Sequence, residues 1–469
     1  MPPVIILKRR LIAIFTAEST ALSESSAAIS PSNKTHNIMH DVITLILAGG
    51  VGTRLFPLTS DRAKPAVPFG GQYRIIDFAL SNCLHSGLRR ILVLPQYKSH
   101  SLMKHLRDGW TLFNPSLGEY ITPVPPQMRT DDSWYQGTAD AIYQNLYLLE
   151  RSGAKNVVIL SGDHIYRMDY AEMVMVHNET NADATVACMP VPIAEAASFG
   201  VVSVNEHMRI DGFEEKPARP SPMPGNADKS LASMGIYVFS IELLLSVLRE
   251  DHVNAGSTHD FGHDILPRLI RSHDVVAHQF GTDNGRVSAD QYWRDVGTID
   301  SYFEANMDLL KPLPPLDLYQ RDWCIRTADA KSPPARTCNG PGESEPRLIN
   351  SIISPGAIVS GGTVVNTVLS PDVRINSGAI VEDSVLFDAV TIGAAARVTR
   401  CIVEKGVTIP DGAVVNADTM SNVPGCVVSE KGIVVIPKGF CRWESTRPTS
   451  SSAVAASSAN AARPQLQHR

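Results

Sequence analysis

Between Asp41 and about Leu310, short apolar runs alternate with amphipathic stretches. Thr44 to Leu47, Arg90 to Leu94, Asn156 to Leu160, Ala184 to Met189 and Ile236 to Phe239 read as buried strands, each a brief aliphatic block bounded by polar residues. From Ala139 to Arg151, Ile142, Leu146 and Leu149 recur at helical spacing, which predicts one amphipathic helix. Strand, loop and helix in alternation predict an α/β domain over 41–310, Rossmann-like, with a mostly parallel sheet covered by helices.

The texture then changes twice. Residues 311–346 are rich in proline, with Pro333 and Pro334 following Lys331 and Ser332, and show no sustained periodicity, so they read as a linker. From Leu348 to about Val415, aliphatic pulses return every five or six residues between Gly, Asn, Asp and Pro. A phrase recurs three times: Pro355-Gly356-Ala357-Ile358-Val359, Ser377-Gly378-Ala379-Ile380-Val381 and Asp411-Gly412-Ala413-Val414-Val415. Such spacing suits the rungs of a left-handed parallel β-helix over 347–443, which need a small inward aliphatic on each side and a turn residue at each corner. An antiparallel sandwich with Gly-rich turns is the alternative. Residues 1–40 and 444–469 are Ser- and Ala-rich and are expected to be disordered. Lys8, Arg9 and Arg10 interrupt the only apolar run near the start, which argues against an export signal, and Met39 is a second candidate start.

Composition narrows the function. At 469 residues the chain calls for two or three domains, and 43% hydrophobic with 19% charged residues is ordinary for a folded protein. A net charge of -6 provides no overall basic field for nucleic acid or an anionic membrane. No run reaches the length of a membrane span. The seven cysteines form no Cys-x-x-Cys pair, so neither a zinc site nor a disulfide framework is indicated, and a reducing cytoplasm is expected.

Leu47 and Ala48 end the first apolar run and pass directly into Gly49, Gly50, Val51, Gly52 and Thr53. Glycines at the end of a strand let backbone N–H groups approach phosphate oxygens closely. The spacing matches neither a dinucleotide fingerprint nor a Walker loop. Arg54 and, ten residues on, Lys64-Pro65 supply two cations beside the glycines, which suits a triphosphate whose leaving diphosphate gathers charge. A structural turn with surface cations is the bland alternative.

Asp163, in Ser161-Gly162-Asp163-His164, stands just past an apolar strand and is a natural metal ligand. Asp295, in Trp293-Arg294-Asp295, offers a second carboxylate, and Mg²⁺ favours one or two carboxylates plus substrate phosphates. His164 reads more simply as a packed histidine. Glu215-Lys216 and Ser233 bring a carboxylate, a cation and a hydroxyl near strand ends, a combination that fits a sugar phosphate or an exposed charged turn.

Together with Phe69-Gly70-Gly71-Gln72-Tyr73-Arg74-Ile75-Ile76-Asp77-Phe78, Trp134-Tyr135-Gln136-Gly137-Thr138-Ala139-Asp140 and Ser233-Met234-Gly235-Ile236-Tyr237, these segments resemble the bacterial glucose-1-phosphate adenylyltransferase family over roughly Asp41 to Phe440. The resemblance implies transfer of AMP from ATP to glucose 1-phosphate, giving ADP-glucose for glycogen synthesis. By it, Tyr135, Gly200, Glu215, Lys216 and Ser233 bind the sugar phosphate, and Asp163 and Asp295 hold Mg²⁺. Arg54 and Lys64 hold ATP phosphates, with Gln96, Gly137, Thr138 and Asp140 near the nucleoside. It also implies a homotetramer controlled by metabolites, with effector positions at Arg62, Arg74, Arg151 and Lys405. The chain departs from members activated by fructose 1,6-bisphosphate at Asp61 and Pro68, so a different activator is expected. A related enzyme using UTP or dTTP and a non-catalytic regulatory subunit remain as alternatives. An acyltransferase is disfavoured because no histidine lies between His278 and His468.

Overall fold

The computed structural model describes residues 38–127, 134–282, 287, 291–329, 331–441 and 443. Of the disorder expected over 1–40 and 444–469, the part over 1–37 and 444–469 falls outside these residues, whereas Ile38, Met39 and His40 are helical. Met39 is among them and is buried, packing in the core beneath the first strand.

The first unit is built on a nine-stranded sheet. Its strands are β1 (Val42–Ala48), β4 (Arg90–Pro95), β5 (Tyr120–Pro123), β6 (Asn156–Ser161), β8 (Ala184–Pro192), β9 (Gly200–Val204), β10 (Ile210–Glu215), β11 (Lys229–Ser240) and β12 (Val275–Gln279). Two short antiparallel pairs, β2 (Pro68–Phe69) with β3 (Tyr73–Arg74) and β7 (His164–Tyr166) with β13 (Trp293–Asp295), stand beside it. The principal order is β10-β9-β11-β6-β1-β4-β5. Strands β6, β1, β4 and β5 run parallel, as do β8 and β12, while β11 enters antiparallel. Central β1 is buried along nearly its whole length, which is why its sequence is almost uninterruptedly aliphatic. Its alternate residues feed different cores. Ile43 and Leu45 join one layer, Val42 and Ile46 the other, so the sheet is sandwiched between two apolar layers.

Strand β11 is longer than the apolar run from Ile236 suggests. Its register shifts between Ser233 and Tyr237, where Gly235 takes φ 68°, and this bulge lets one strand pair with β9 early and β6 late. The helices used below are α1 (Ile75–His85), α2 (His100–Gly109), α3 (Thr138–Tyr143), α4 (Leu146–Ser152), α5 (Tyr170–Glu179), α6 (Ile241–His252) and α7 (Ile299–Asp308).

The single helix expected over Ala139–Arg151 is two, α3 and α4. The Asn145 amide donates to the Ala141 carbonyl at 2.8 Å, the acceptor its own backbone N–H would use, and also to the Tyr135 hydroxyl at 2.9 Å. The Asn145 N–H turns instead to Ile142 O at 2.9 Å, and the helix breaks there.

The segment read as a linker is largely exposed, and a few buried side chains pin it to the first unit. Trp323 and Leu316 are fully buried, the Trp323 indole donating to Asn82 of α1 and stacking on His85 at 4.8 Å. Arg336–Cys338, also inside that segment, is the first strand of the second unit. There, three parallel ladders rise together. Ile358 faces Arg374 and Ile380 faces Arg397, so each rung stacks on the next. Val359, Ile375, Ile392 and Ile409 point inward and are buried. Corners fall at left-handed residues such as Gly361, Gly378, Ala395 and Gly412. This is the arrangement of a left-handed parallel β-helix.

The two units share a core. Phe69, Phe78, Tyr302 and Phe303 of the first pack with Val385, Phe387, Ile402 and Ile433 of the second. Around it, Arg62 pairs bidentately with Glu404, Ser429 donates to Asp300 and Lys431 pairs with Glu304 on α7.

Candidate active site

Parallel strands expose backbone and loop groups at their carboxyl ends, and here β1 and β6 end side by side. The glycine loop leaves β1. Gly52 takes φ 65°, and Thr59 Oγ1 donates to its carbonyl at 2.9 Å, fixing the turn that leads to Arg54. Gly162 leaves β6, and its N–H donates to Leu47 O at 2.9 Å. A Cβ there would lie 3.0 Å from Ile46 Cγ2 and 3.1 Å from Leu47 O, so the two chain ends touch only because no side chain intervenes.

That contact delivers Asp163. Asp295 arrives from the other side on β13, which pairs antiparallel with β7. Between them lies Lys64, buried, with Nζ 2.9 Å from Asp163 Oδ2 and 2.8 Å from Asp295 Oδ1. Burial would raise the Asp163 carboxyl, yet His164, the Lys64 ammonium and the Ser161 hydroxyl outweigh it and hold it well below the usual carboxylate range. Burial likewise opposes the charge on Lys64, and the two carboxylates overcome it, raising its pKa. Asp163 and Lys64 are therefore charged together at neutral pH.

Asp163, His164 and Asp295 offer ligand atoms within 4.8 Å of one another, a grouping found only once among the described residues. Two carboxylates beside the glycine loop suit a hard divalent cation with oxygen ligands. Lys64 now neutralises the same two carboxylates. His164 is packed, as expected, with its ring 4.7 Å from that of Trp293, but its Nε2 also lies 3.6 Å from Asp163 Oδ1.

Two cavities meet at this triad. The first, of about 480 Å³, is lined by Leu47, Ala48, Gly49, Gly50, Gly52 and Thr53 of the loop. Gln96, Gly137 and Thr138 close its far side, and Gln96 Nε2 donates to Tyr135 O at 2.9 Å. The second, of about 500 Å³, holds Gly200, Glu215, Lys216, Ser233 and Asp295. Lys216 Nζ lies 2.8 Å from Glu215 Oε1. Arg54, Thr138, Ser161, Asp260 and Gly297 belong to both walls.

Two expected positions fall elsewhere. Tyr135, assigned by resemblance to the sugar phosphate, lines the first cavity, where its hydroxyl accepts from Asn145. Asp140 lines neither: its Oδ2 accepts from the Gln136 N–H at 2.9 Å and the Gln144 amide at 3.0 Å, so it shapes the loop from behind. Asp260 was not singled out from sequence, because Asp-Phe-Gly carries no local signature and its place in both walls is tertiary.

The four effector positions are divided. Arg62 is engaged by Glu404, Lys405 Nζ lies 3.0 Å from Asp388, and the Arg74 guanidinium donates to Ala66 O beside them. Arg74 also lines a cavity of about 700 Å³ with Ser101, Lys104, Arg107 and Lys331. Arg151, at the end of α4, lies 5.9 Å from the Tyr147 ring. No described helix is long and apolar enough to cross a membrane.

Residues 43–312 match the family described as Nucleotidyl transferase, and residues 333–436 match GlmU-like, C-terminal hexapeptide. The chain is 55% identical over 402 residues to Glucose-1-phosphate adenylyltransferase 2 of Vibrio cholerae, spanning 86% of this chain and 99% of that protein. It is 57% identical over 402 residues to the protein of that name in Vibrio vulnificus strain YJ016, spanning 86% of this chain and 100% of that one. With Glucose-1-phosphate adenylyltransferase of Enterobacter sp. strain 638 it shares 47% over 403 residues, 85% of this chain and 94% of that protein. A nucleotidyl transferase unit joined to a hexapeptide-repeat β-helix, matched nearly end to end at this identity, places the chain in the glucose-1-phosphate adenylyltransferase family.

Proposed function

We propose that this chain transfers the AMP moiety of ATP to α-D-glucose 1-phosphate, forming ADP-glucose and releasing diphosphate, in the service of glycogen or another α-glucan. The observation that carries this reading is the meeting of two cavities at Asp163, Lys64 and Asp295.

A phosphate oxygen of glucose 1-phosphate attacks the α-phosphorus in line, a new phosphorus–oxygen bond forms, and the bond to the bridging β-phosphate oxygen breaks. The nucleophile is already ionised at neutral pH, so no general base is needed, and positioning and charge neutralisation carry the rate. The loop N–H groups and Arg54 receive the triphosphate. Glu215, Lys216 and Ser233 orient the sugar phosphate. Asp163 and Asp295 would hold Mg²⁺, which when bound neutralises charge on the phosphates. Lys64, between those two carboxylates, supplies a fixed positive charge beside the phosphates.

Regulation and assembly belong to the same reading. Arg74 and Lys331 line one cavity with Lys104 and Arg107, both of which pair with Asp108, and with Asp329; the balance of four cations to two carboxylates favours an anionic metabolite. Asp61 lies 3.5 Å from Lys438, an arrangement that disfavours a doubly phosphorylated activator there. A cytoplasmic homotetramer activated by a metabolite other than fructose 1,6-bisphosphate is the expected state.

The test is diphosphate release from purified protein with Mg²⁺, glucose 1-phosphate and each of ATP, UTP and dTTP, with Asp163→Asn alongside. Release with ATP alone, lost in the variant, supports the proposal. Preference for UTP or dTTP overturns the substrate, and silence with all three turns the reading to a regulatory subunit.

A further inference from the structure

The wall shared by both cavities is held from behind by a carboxylate outside the site. Asp251, in the last turn of α6, is only 1% exposed. A carboxylate there opposes the helix dipole, so its burial requires strong partners. It has three. Oδ1 accepts from Ser257 Oγ at 2.8 Å and from the Arg268 guanidinium at 3.1 Å, and Oδ2 lies 2.8 Å from His259 Nδ1.

Two of those partners belong to one short segment, Ser257 to Asp260. His259 adopts φ 58°, a left-handed conformation that a non-glycine residue keeps only when its surroundings impose it. The conformation has a use. It aims the His259 carbonyl at the Ala139 N–H, 2.8 Å away, at the start of α3. A Cβ on Gly137 would sit 2.2 Å from His259 O and 2.6 Å from Thr258 O, so the nucleotide-side wall rests directly on this segment. The next residue, Asp260, accepts from Thr138 Oγ1 at 3.0 Å and lines both cavities. From the opposite side, Asp264 Oδ2 accepts from the Thr258 N–H and hydroxyl and the Asp260 N–H, so the segment is clamped between two carboxylates.

We propose that Asp251 is a positioning residue for both substrates: through Ser257 and His259 it fixes the segment that carries Asp260 and supports Gly137 and Thr138. The proposal rests on the nucleotidyl-transfer reading above. It makes the two cavities one mechanical unit, because a displacement of His259 moves the floor beneath Gly137 and the Asp260 side chain together. Arg268 serves as an internal control, since it meets the same carboxylate and the Asp264 carbonyl but no backbone atom from Ser257 to Asp260.

The experiment compares the full-length wild type with Asp251→Asn, His259→Ala and Arg268→Gln. It measures kcat, KM for ATP, KM for glucose 1-phosphate, ATP affinity by calorimetry and the thermal midpoint. Asp251→Asn and His259→Ala should raise both KM values together by about tenfold and weaken ATP binding equally, with kcat changed less than about threefold. Arg268→Gln should lower the thermal midpoint and leave both KM values near wild type. Unchanged KM values in Asp251→Asn, a rise for one substrate alone, or an equal rise in Arg268→Gln would each overturn the proposal. A wild type that binds ATP but turns over no glucose 1-phosphate would overturn the transfer reading instead, and the calorimetric comparison would still decide whether Asp251 positions the nucleotide wall.

Discussion

Arg62 and Glu404, 342 positions apart, meet in a buried bidentate pair, with Nη1 2.7 Å from Oε1 and Nη2 2.9 Å from Oε2. Arg62 stands two residues before Lys64, and Glu404 lies on the β-helix, so one contact ties the second unit to the segment that carries the Lys64 ammonium. Breaking a buried pair leaves one charge without its partner, a loss of about 3–5 kcal/mol. Glu404→Gln should therefore lower the first thermal unfolding transition by several degrees and raise KM for ATP. Calorimetry with parallel steady-state kinetics checks both.

Lys64 separates two carboxylates that would otherwise face one another. Lys64→Gln keeps the length of the side chain and removes its charge. We expect kcat to fall by about 10²–10³-fold, the scale seen when one stabilising group is taken from a developing anion. Single-turnover measurements with saturating Mg²⁺ should place the loss in the chemical step, while the affinity for glucose 1-phosphate changes little.

Stability should decline on mild acidification for reasons remote from the site. His177, on α5, is buried against the Thr185 hydroxyl at 3.0 Å, and burial lowers its pKa to about 4. Burial also lowers His278, on β12, to about 4. Each is neutral when folded and takes up a proton at a higher pH once unfolded. The unfolded chain thus binds more protons between the ordinary histidine pKa of about 6.5 and the folded value, and stability falls as pH drops through that window. Urea midpoints measured between pH 6.5 and 4.5 should decline, and the decline should be shallower in His177→Gln/His278→Gln.

Gly137 is a place where one methyl group should matter. Its Cβ would lie 2.2 Å from His259 O, so the backbone of that segment would have to shift. Gly137→Ala should fold with the Ser257–Asp260 segment displaced, and kcat/KM for ATP should drop by at least about 10²-fold. Stopped kinetics with unaltered far-ultraviolet circular dichroism would bear this out.

Much of this arrangement could be read from residue order alone, and the parts that could not share a cause. The glycine loop behind β1 and Asp163 behind β6 are local patterns, each a strand end followed by its functional group. The β-helix repeat is local too, since every rung restates it. Asp295 is different, because its approach to Asp163 depends on pairing between His164 of β7 and Asp295 of β13, strands far apart in the chain. The break at Asn145 was hidden because Ile142, Leu146 and Leu149 keep helical spacing through it, and only the side-chain bond to Ala141 O reveals the interruption. Prolines at 333 and 334 masked the opening strand of the β-helix, which starts two residues later at Arg336. Asp260 and Asp251 act through loop geometry, to which spacing is blind.

The shared core between the units has a further consequence for how the chain is made. Leu55, Val67, Phe69 and Phe78 emerge from a ribosome early, yet Ile402, Ile433 and Val435, which cover them, come near the end of synthesis. Throughout that interval the nascent first unit presents a greasy face with no lid, the kind of surface that chaperones bind and that drives clumping when they are scarce. A gene trimmed to its transferase half would fix the protein permanently in that state.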